Sequence, residues 1–326
     1  MSGLRIFSTA PLRGEGLERL QALGEVVVDP WIDHEPLRLY NSAQLAERVV
    51  AEAADVVICE ADSCKGPLFE LALVAIGSTR GDPTNVDLPG ATAAGIPVLR
   101  APGRNADGVA ELAVGLALAA TRGIVGADHD VREGQVYRDG SIPYQRFRGW
   151  QLAGRTVGLV GYGAVGRAAA WRFEGLGMRV ISSDPFAGDA THELDDLLAE
   201  ADLVSMHAAI TPDTVGLISA ERIERMKPGA VYVNTARAAL HDLDALTDAL
   251  ADGRLSAAGL DHFEGEHLPA DHPLLRMANV VLTPHIGGAT YDTEANHTML
   301  MATGLEALVR GDVPSNLANP EVAHHD

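Results

Sequence analysis

The sequence predicts an α/β protein of two doubly wound parallel-sheet domains, an expectation resting on three observations. Short β-branched runs alternate with alanine- and leucine-rich stretches along the chain, a glycine-rich turn sits where the second series of runs begins, and 326 residues with 47% apolar content suffice for two cores. The first series is "LRIFST", "GEVVVD", "DVVIC", "LALVAIG" and "IPVLRA", ending at residue 101. The second, after residue 155, is "TVGLVG", "MRVISSD", "LVSMH", "AVYVNT", "SAAGLD" and "NVVLTPH". This regular strand–helix rhythm is that of parallel strands joined by helical crossovers. Between the series, "NADGVAELAVGLALAATRG" (105–123) reads as one long bridging helix from its length and its Ala and Leu content. Residues 128–150 lack clean periodicity and are expected to be a partly irregular connection. A helical stretch from about 292 to 311 follows the last strand, so one domain can be built from both chain ends.

Composition excludes several classes of function. With 25 Lys and Arg against 45 Asp and Glu the net charge is −20, which repels phosphate backbones and anionic membrane surfaces, so neither nucleic acid nor membrane is expected as a partner. No run reaches the roughly 18–20 apolar residues of a membrane span, and "MSGLRIFSTAPLRGEG" has no long apolar segment, so a cytoplasmic location is expected. Cys59 and Cys64 are too few for a disulfide framework and read as buried free thiols.

The most specific local motif is "TVGLVGYGAVGRAAAWRFEGLGMRVISSDPF" (156–186). An apolar strand runs into Gly161-x-Gly163-x-x-Gly166 and a helix, and a second strand ends at Asp184, 184 − 163 = 21 residues beyond the middle glycine. Gly161 permits the tight turn, Gly163 the approach of a pyrophosphate, and Gly166 the packing of helix on strand, while the helix N-terminus offers N–H groups to phosphate. Asp184 is placed to accept from ribose hydroxyls and to repel a 2′-phosphate, so NAD is the expected cofactor, preferred over NADP.

Together with "NVDLPGATAAGIPVLRAPGRNADGVAELAVGLALAATR", "HAAITPDTVGLI", "MKPGAVYVNTARAAL", "ALADGRLSAAGLDHFEGE" and the "HPLL" and "NVVLTPHIGGAT" segments, this motif resembles the D-isomer-specific NAD-dependent 2-hydroxyacid dehydrogenases over residues 55–310. That family includes 3-phosphoglycerate, D-lactate, glyoxylate/hydroxypyruvate and phosphite dehydrogenases. The resemblance implies a Rossmann cofactor domain over 102–291 inserted into a flavodoxin-like substrate domain of 1–101 and 292–326, and a homodimer. It implies a catalytic trio of Arg237, Glu266 (261 + 5) and His285. It further implies cofactor contacts at Ala164, Val165, Pro212, Thr214, Ala236, Asp261 and Gly287, besides the glycines and Asp184.

The chemistry suits those residue types. Oxidising a 2-hydroxy acid removes a hydroxyl proton as hydride leaves the same carbon, so one group must cycle between base and acid near neutral pH, as histidine does. Glu266 would hold that imidazole and stabilise its protonated form. Arg237 would grip the carboxylate through two parallel bonds and polarise the carbonyl oxygen during reduction. The segment 260–290 contains three further histidines, His262, His267 and His272, which lack the spacing that sets two on one helical face; they are expected in a solvated loop, and no metal is expected. Glu264 is disfavoured by its register from Asp261, and His207 is expected to be structural.

Departures from the family bear on the substrate. "GSTRGDPTNVD" (77–87) carries Arg80, Gly81 and Asp82 where many relatives have a glycine-rich loop, and "ICEADSCKG" offers Glu60 and Lys65 where phosphoglycerate dehydrogenases tend to place arginine. Arg80 either pairs with Asp82 in its own loop or, with Lys65 and Gly81, meets a phosphorylated or polyhydroxylated substrate. Arg138 and Arg146 reach a site only if residues 128–150 fold over it. Alternatives to a dehydrogenase of 2-hydroxy acids are a non-catalytic NAD-sensing interaction protein of corepressor type and a phosphite dehydrogenase.

Overall fold

The computed structural model describes residues 3–324. The chain divides into two compact units, Met1–Asn105 with Thr290–Asp326, and Ala106–Ala289.

In the first unit, β1 (Leu4–Ser8), β2 (Gly24–Val28), β3 (Val56–Cys59), β4 (Ala75–Ser78) and β5 (Val98–Leu99) form a parallel sheet in the order β2-β1-β3-β4-β5. This is the doubly wound flavodoxin-like order, with chain reversal between β1 and β3. β3 and β4 are buried along their whole length, which is why their sequences are continuous apolar or small runs rather than alternating ones. The crossovers include α1 (Glu15–Leu23), α2 (Ser42–Ala51) and α3 (Leu88–Ala93). α2 starts at a reciprocal cap: Asn41 accepts from the Gln44 N–H at 3.0 Å, and the Gln44 side chain accepts from the Asn41 N–H at 3.1 Å. Apolar layers cover both sheet faces, one around Phe7, Leu45, Leu68 and Ile76 and the other around Ile6, Leu20, Leu99 and Met301. Cys59 and Cys64 lie in the first layer as buried free thiols, sulfurs 3.2 Å apart.

In the second unit, α4 (Ala106–Arg122) is the single long helix expected. α5 (Ile124–Arg132) and the one-turn α6 (Pro143–Arg146) interrupt the connection read as irregular. There Arg146 and Arg138 both turn inward to the buried Asp130, at 2.9 and 3.2 Å, so these two arginines hold their own segment together. Six parallel strands follow: β6 (Thr156–Val160), β7 (Arg179–Ser183), β8 (Leu203–Met206), β9 (Ala230–Asn234), β10 (Leu255–Leu260) and β11 (Val280–Leu282). Their order is β11-β10-β9-β8-β6-β7, with α7 (Ala164–Gly175), α8 (Leu194–Glu200), α9 (Ala220–Arg225) and α10 (Leu243–Ala251) in the crossovers. The chain goes to one side of β6 for β7 and to the other for β8, and that reversal is where open α/β sheets bind ligands, at the carboxyl ends of the strands. After residue 289 the chain returns to the first unit as α11 (Tyr291–Arg310), capped by the Thr290 hydroxyl accepting from the Thr293 N–H at 3.0 Å. Among the described residues no single helix is long and apolar enough to cross a membrane.

Two buried histidines carry a pH signature. His297 on α11 is 1% exposed and His241 is 7% exposed, and burial lowers the pKa of each to about 4. Each folded pKa lies below the unfolded value of 6.5, so the stabilisation is complete above pH 6.5 and is lost as pH falls toward 4. One histidine lies in each unit, so the thermal midpoints of both are expected to fall between pH 7 and pH 5, by roughly 5 °C or more. Midpoints that stay level over this interval would show that both imidazoles can be charged in the folded protein.

Candidate functional site

The glycine turn at the end of β6 is built for close approach. Gly161 has φ +93°, and a Cβ there would lie 2.4 Å from the Ala208 nitrogen, so only glycine fits. A Cβ on Gly166 would lie 2.2 Å from the Gly161 oxygen, which sets how tightly α7 packs on β6. A Cβ on Gly163 would meet nothing within 4 Å, and this residue caps α7 without any side-chain bond. The N–H groups of Ala164, Val165 and Gly166, the first turn of α7, therefore have no helical carbonyl to bond and lie at the positive end of the helix. Asp184 follows β7, its Oδ2 accepting from the Tyr162 N–H at 2.7 Å and its Oδ1 from the Phe186 N–H at 2.8 Å. This fixes the carboxylate beside the glycine turn with acceptor capacity to spare. An open cradle, unpaired N–H groups and an oriented acidic residue fit a pyrophosphate and ribose.

Parallel register brings the remaining site residues to the same edge. Val160 pairs with Met206, Met206 and Leu260 with Asn234, and Leu260 with Leu282, so residues just beyond these strand ends emerge side by side. Pro212 and Thr214 lie in the loop after β8, where the Thr214 hydroxyl donates to the Ala209 carbonyl at 2.7 Å and shapes the turn. His207 bonds Ser205 through Nε2 at 2.9 Å, and burial lowers its pKa to about 4, in keeping with a structural imidazole.

Arg237 is held by a network that sequence reasoning did not single out. Asn234, 1% exposed at the end of β9, accepts from the Ala236 N–H at 2.9 Å and donates to the Arg237 carbonyl at 2.9 Å and to His241 Nδ1 at 2.9 Å. The exposed Arg237 guanidinium donates only to the Ala236 carbonyl, at 2.6 Å, among the described residues. Its fork remains available to a carboxylate. The signal was a polar Asn ending an apolar strand, whose buried amide has to find partners nearby.

Asp261 builds the turn that carries His285. Its carboxylate is fully buried and accepts from the Thr283 hydroxyl at 2.6 Å, the Ile286 N–H at 2.9 Å and the Gly287 N–H at 2.9 Å. The Asp261 carbonyl accepts from the His285 N–H at 2.8 Å. These bonds hold His285 at φ +56°, a conformation non-glycine residues adopt only when their surroundings impose it. Asp261 thus has an anchoring task besides the cofactor contact expected of it. His285 Nδ1 bonds Glu266 Oε1 at 2.9 Å, and Glu266 itself sits at φ +62°. Glu266, and not Glu264, meets the imidazole. With Nδ1–H donating to that carboxylate, Nε2 is left to exchange a proton with a bound molecule.

One expectation is overturned here. His262 is not in a solvated loop: it is 5% exposed, and its ring centroid lies 3.7 Å from that of His285, with planes inclined at 50°. Burial, reinforced by the charges of His285 and Arg237, lowers its pKa to about 4. It directly follows the buried Asp261, and the loop after the strand end begins only beyond both of these inward-turned residues. His267 is exposed, and His272 caps a short 3-10 turn by accepting from the Leu274 N–H at 3.3 Å.

In the first unit, Arg80 follows β4, Gly81 comes next, and Lys65 precedes a 3-10 turn after β3. Ion pairs there run through Arg5, Arg13, Arg19, Arg38, Arg48, Arg104 and Arg310, so among the described residues Arg80 has no partner, in Asp82 or elsewhere, and neither has Lys65. Glu60 is committed elsewhere: it pairs with Arg104, which also bonds His297 Nδ1 at 2.9 Å, while His297 Nε2 donates to the Pro11 carbonyl at 2.6 Å. Only tertiary structure reveals this triad, because 297 − 60 = 237 residues separate Glu60 from His297.

Comparison with known proteins agrees with this geometry. Residues 114–287, just over half of the chain, match the NAD binding domain of the D-isomer specific 2-hydroxyacid dehydrogenases. A glyoxylate reductase of Korarchaeum cryptofilum is 35% identical over 98% of this chain and 96% of its own length. A D-3-phosphoglycerate dehydrogenase of Methanocaldococcus jannaschii is 32% identical over 97% of this chain but only 59% of its own length. The crystal structure of the TT0316 protein of Thermus thermophilus superposes with a TM-score of 0.80 at 35% identity, covering 97% of this chain and 100% of that one. The chain belongs to the D-isomer specific 2-hydroxyacid dehydrogenases, NAD-dependent oxidoreductases, and its second unit carries the family's NAD binding domain.

Proposed function

We propose that the protein interconverts a 2-oxo acid and the corresponding D-2-hydroxy acid as a cytoplasmic homodimer, with Arg237, Glu266 and His285 as its catalytic residues. The observation that carries this reading is the His285 Nδ1–Glu266 Oε1 bond of 2.9 Å on the same sheet edge as an arginine whose guanidinium has no carboxylate partner among the described residues. Residues 106–289 serve as the cofactor domain and the two chain ends as the substrate domain. NAD supplies the hydride acceptor or donor. Gly161, Gly163, Ala164, Val165, Gly166 and Asp184 bind the pyrophosphate and ribose, and Pro212, Thr214, Ala236, Asp261 and Gly287 form the wall beside them.

Arg237 binds the substrate carboxylate bidentately and fixes the reacting carbon. In the reductive direction His285 Nε2 delivers a proton to the carbonyl oxygen, and in the oxidative direction it removes the hydroxyl proton. Glu266 orients the ring through Nδ1 and stabilises its charged form.

The substrate is proposed to carry a second anionic or strongly polar group, phosphate or hydroxyl, received by Arg80, Gly81 and Lys65. The unpaired state of both cations supports this, since isolated charges otherwise gain from a carboxylate or phosphate partner. Turnover of pyruvate, glyoxylate, hydroxypyruvate, 2-oxo-tetronate and phosphohydroxypyruvate with NADH, repeated in Arg80→Ala, tests it. Preference for the small monoanions together with an indifferent Arg80→Ala would remove the second-group reading, and failure of all five would remove the dehydrogenase reading of this site.

NADPH is expected to be used at least about tenfold less efficiently than NADH, because Asp184 faces the added phosphate across a poorly screened gap. Arg167, in the first turns of α7, is paired with Asp189 through two bonds of 2.6 Å. Asp184→Ala should narrow the ratio of kcat/KM for the two cofactors; equal use by the unaltered protein would defeat the assignment.

A further inference from the structure

His262 has no task in proton transfer as derived above, yet it is buried directly against the acid–base pair. One nitrogen of His262, one nitrogen of His285 and one carboxylate oxygen of Glu266 all lie within 4.8 Å of one another. We propose that these three side chains chelate a divalent transition-metal ion, Zn2+ above all, and that its binding reversibly shuts off the acid–base pair.

The donor set selects the ion. Two imidazoles and one carboxylate with a fourth position open to solvent are ligands for Zn2+, whereas Mg2+ and Ca2+ require shells of oxygen. A tetrahedral ion with bonds of about 2.0–2.2 Å holds its ligand atoms about 3.3–3.5 Å apart. The three atoms, within 4.8 Å of one another, therefore need to close by up to about 1.5 Å. Mobility is distributed accordingly. The buried His262 is a fixed anchor, while Glu266 and His285, with side chains 62% and 42% exposed, can rotate toward it and can be reached from solvent. The Arg237 charge opposes the ion, and the carboxylates of Glu266 and buried Asp261 offset it.

The consequence follows from which atoms are used. A metal bridging His285 and Glu266 replaces their mutual bond of 2.9 Å, so the imidazole loses the carboxylate that stabilises its charged form and can no longer cycle between base and acid. Free Zn2+ then acts as an inhibitor that competes with the substrate. This inhibition rests on the proposed role of His285, whereas the binding itself does not, so the two are read separately.

The full chain, stripped with a chelator and freed of it, is titrated with Zn2+ by calorimetry and with Co2+ by visible absorption, which reports tetrahedral coordination. The same titrations use His262→Phe and the exposed-site variant Glu266→Gln, with thermal unfolding checking that each is folded. One ion per chain is expected in the unaltered protein, with a tetrahedral Co2+ band. Both variants should bind Zn2+ roughly tenfold or more weakly and lose the band. NADH oxidation by a 2-oxo acid should be inhibited over the concentrations that fill the site, restored by EDTA, and untouched by equal Mg2+. Zn2+ affinity equal in the unaltered protein and both folded variants, or no binding at all, overturns the site. Site-specific binding in a protein that turns over no 2-oxo acid keeps the metal site and removes the proposed function instead.

Discussion

His285→Ala is expected to lower turnover of 2-oxo acids with NADH by about two to four orders of magnitude, the usual contribution of a positioned general acid–base group. NADH should still bind, because the glycine turn, α7 and Asp184 belong to β6 and β7, and the His285 turn follows β11. The backbone should also survive: the His285 N–H bond to the Asp261 carbonyl, 2.8 Å, and the three donors to the Asp261 carboxylate do not involve the imidazole. Moreover, φ of +56° at residue 285 is imposed by those bonds and not by the ring. Turnover and NADH fluorescence titration together decide the matter. Turnover equal to the unaltered protein's would transfer the proton chemistry to another group, and loss of NADH binding would mean that the substitution had disturbed the sheet edge.

Arg237→Lys is expected to reduce kcat/KM by about 10- to 100-fold, with a clear rise in KM as well as slower chemistry. The reason is geometric. A guanidinium presents two parallel N–H donors to a carboxylate and stays charged, while an ammonium offers a point charge on a flexible stem that cannot hold the reacting carbon in line. The Asn234 bonds that shape this loop reach main-chain atoms of residues 236 and 237, so they persist in the variant and the loss is confined to the side chain. Steady-state kinetics over a range of 2-oxo acid concentrations separates the two effects; unchanged KM and kcat would mean that another residue holds the carboxylate.

Much of the architecture was legible because it follows local periodicity. Buried parallel strands such as β3, β6 and β9 write themselves as continuous apolar runs, and each predicted run overlaps an observed strand. The glycine turn was equally legible, because Gly161 and Gly166 occupy places where a Cβ would collide with backbone, a constraint already written in the glycine spacing. The pairing of His285 with Glu266 instead of Glu264 was within reach through the family resemblance, which implies a glutamate five residues beyond Asp261.

Side-chain partnerships between distant segments were not. Lys65 and Arg80 look like ordinary loop charges, and no local rule shows that they remain unpaired while Arg138 and Arg146 are consumed by Asp130. His262 was expected in solvent because it follows a strand end in a Pro- and Gly-rich loop, but its environment is set by the turn after β11, which carries His285. The sequence by itself determined two parallel α/β sheets, a dinucleotide-type turn and the residue types of an acid–base site, because backbone hydrogen bonding, apolar periodicity and steric limits on glycine all leave local marks. Tertiary structure alone decided that His262 packs against His285, that Asp261 anchors the His285 turn, and that Glu60 is paired with Arg104. Burial, and the bonds a buried polar group must then find, depend on which elements the parallel register brings together.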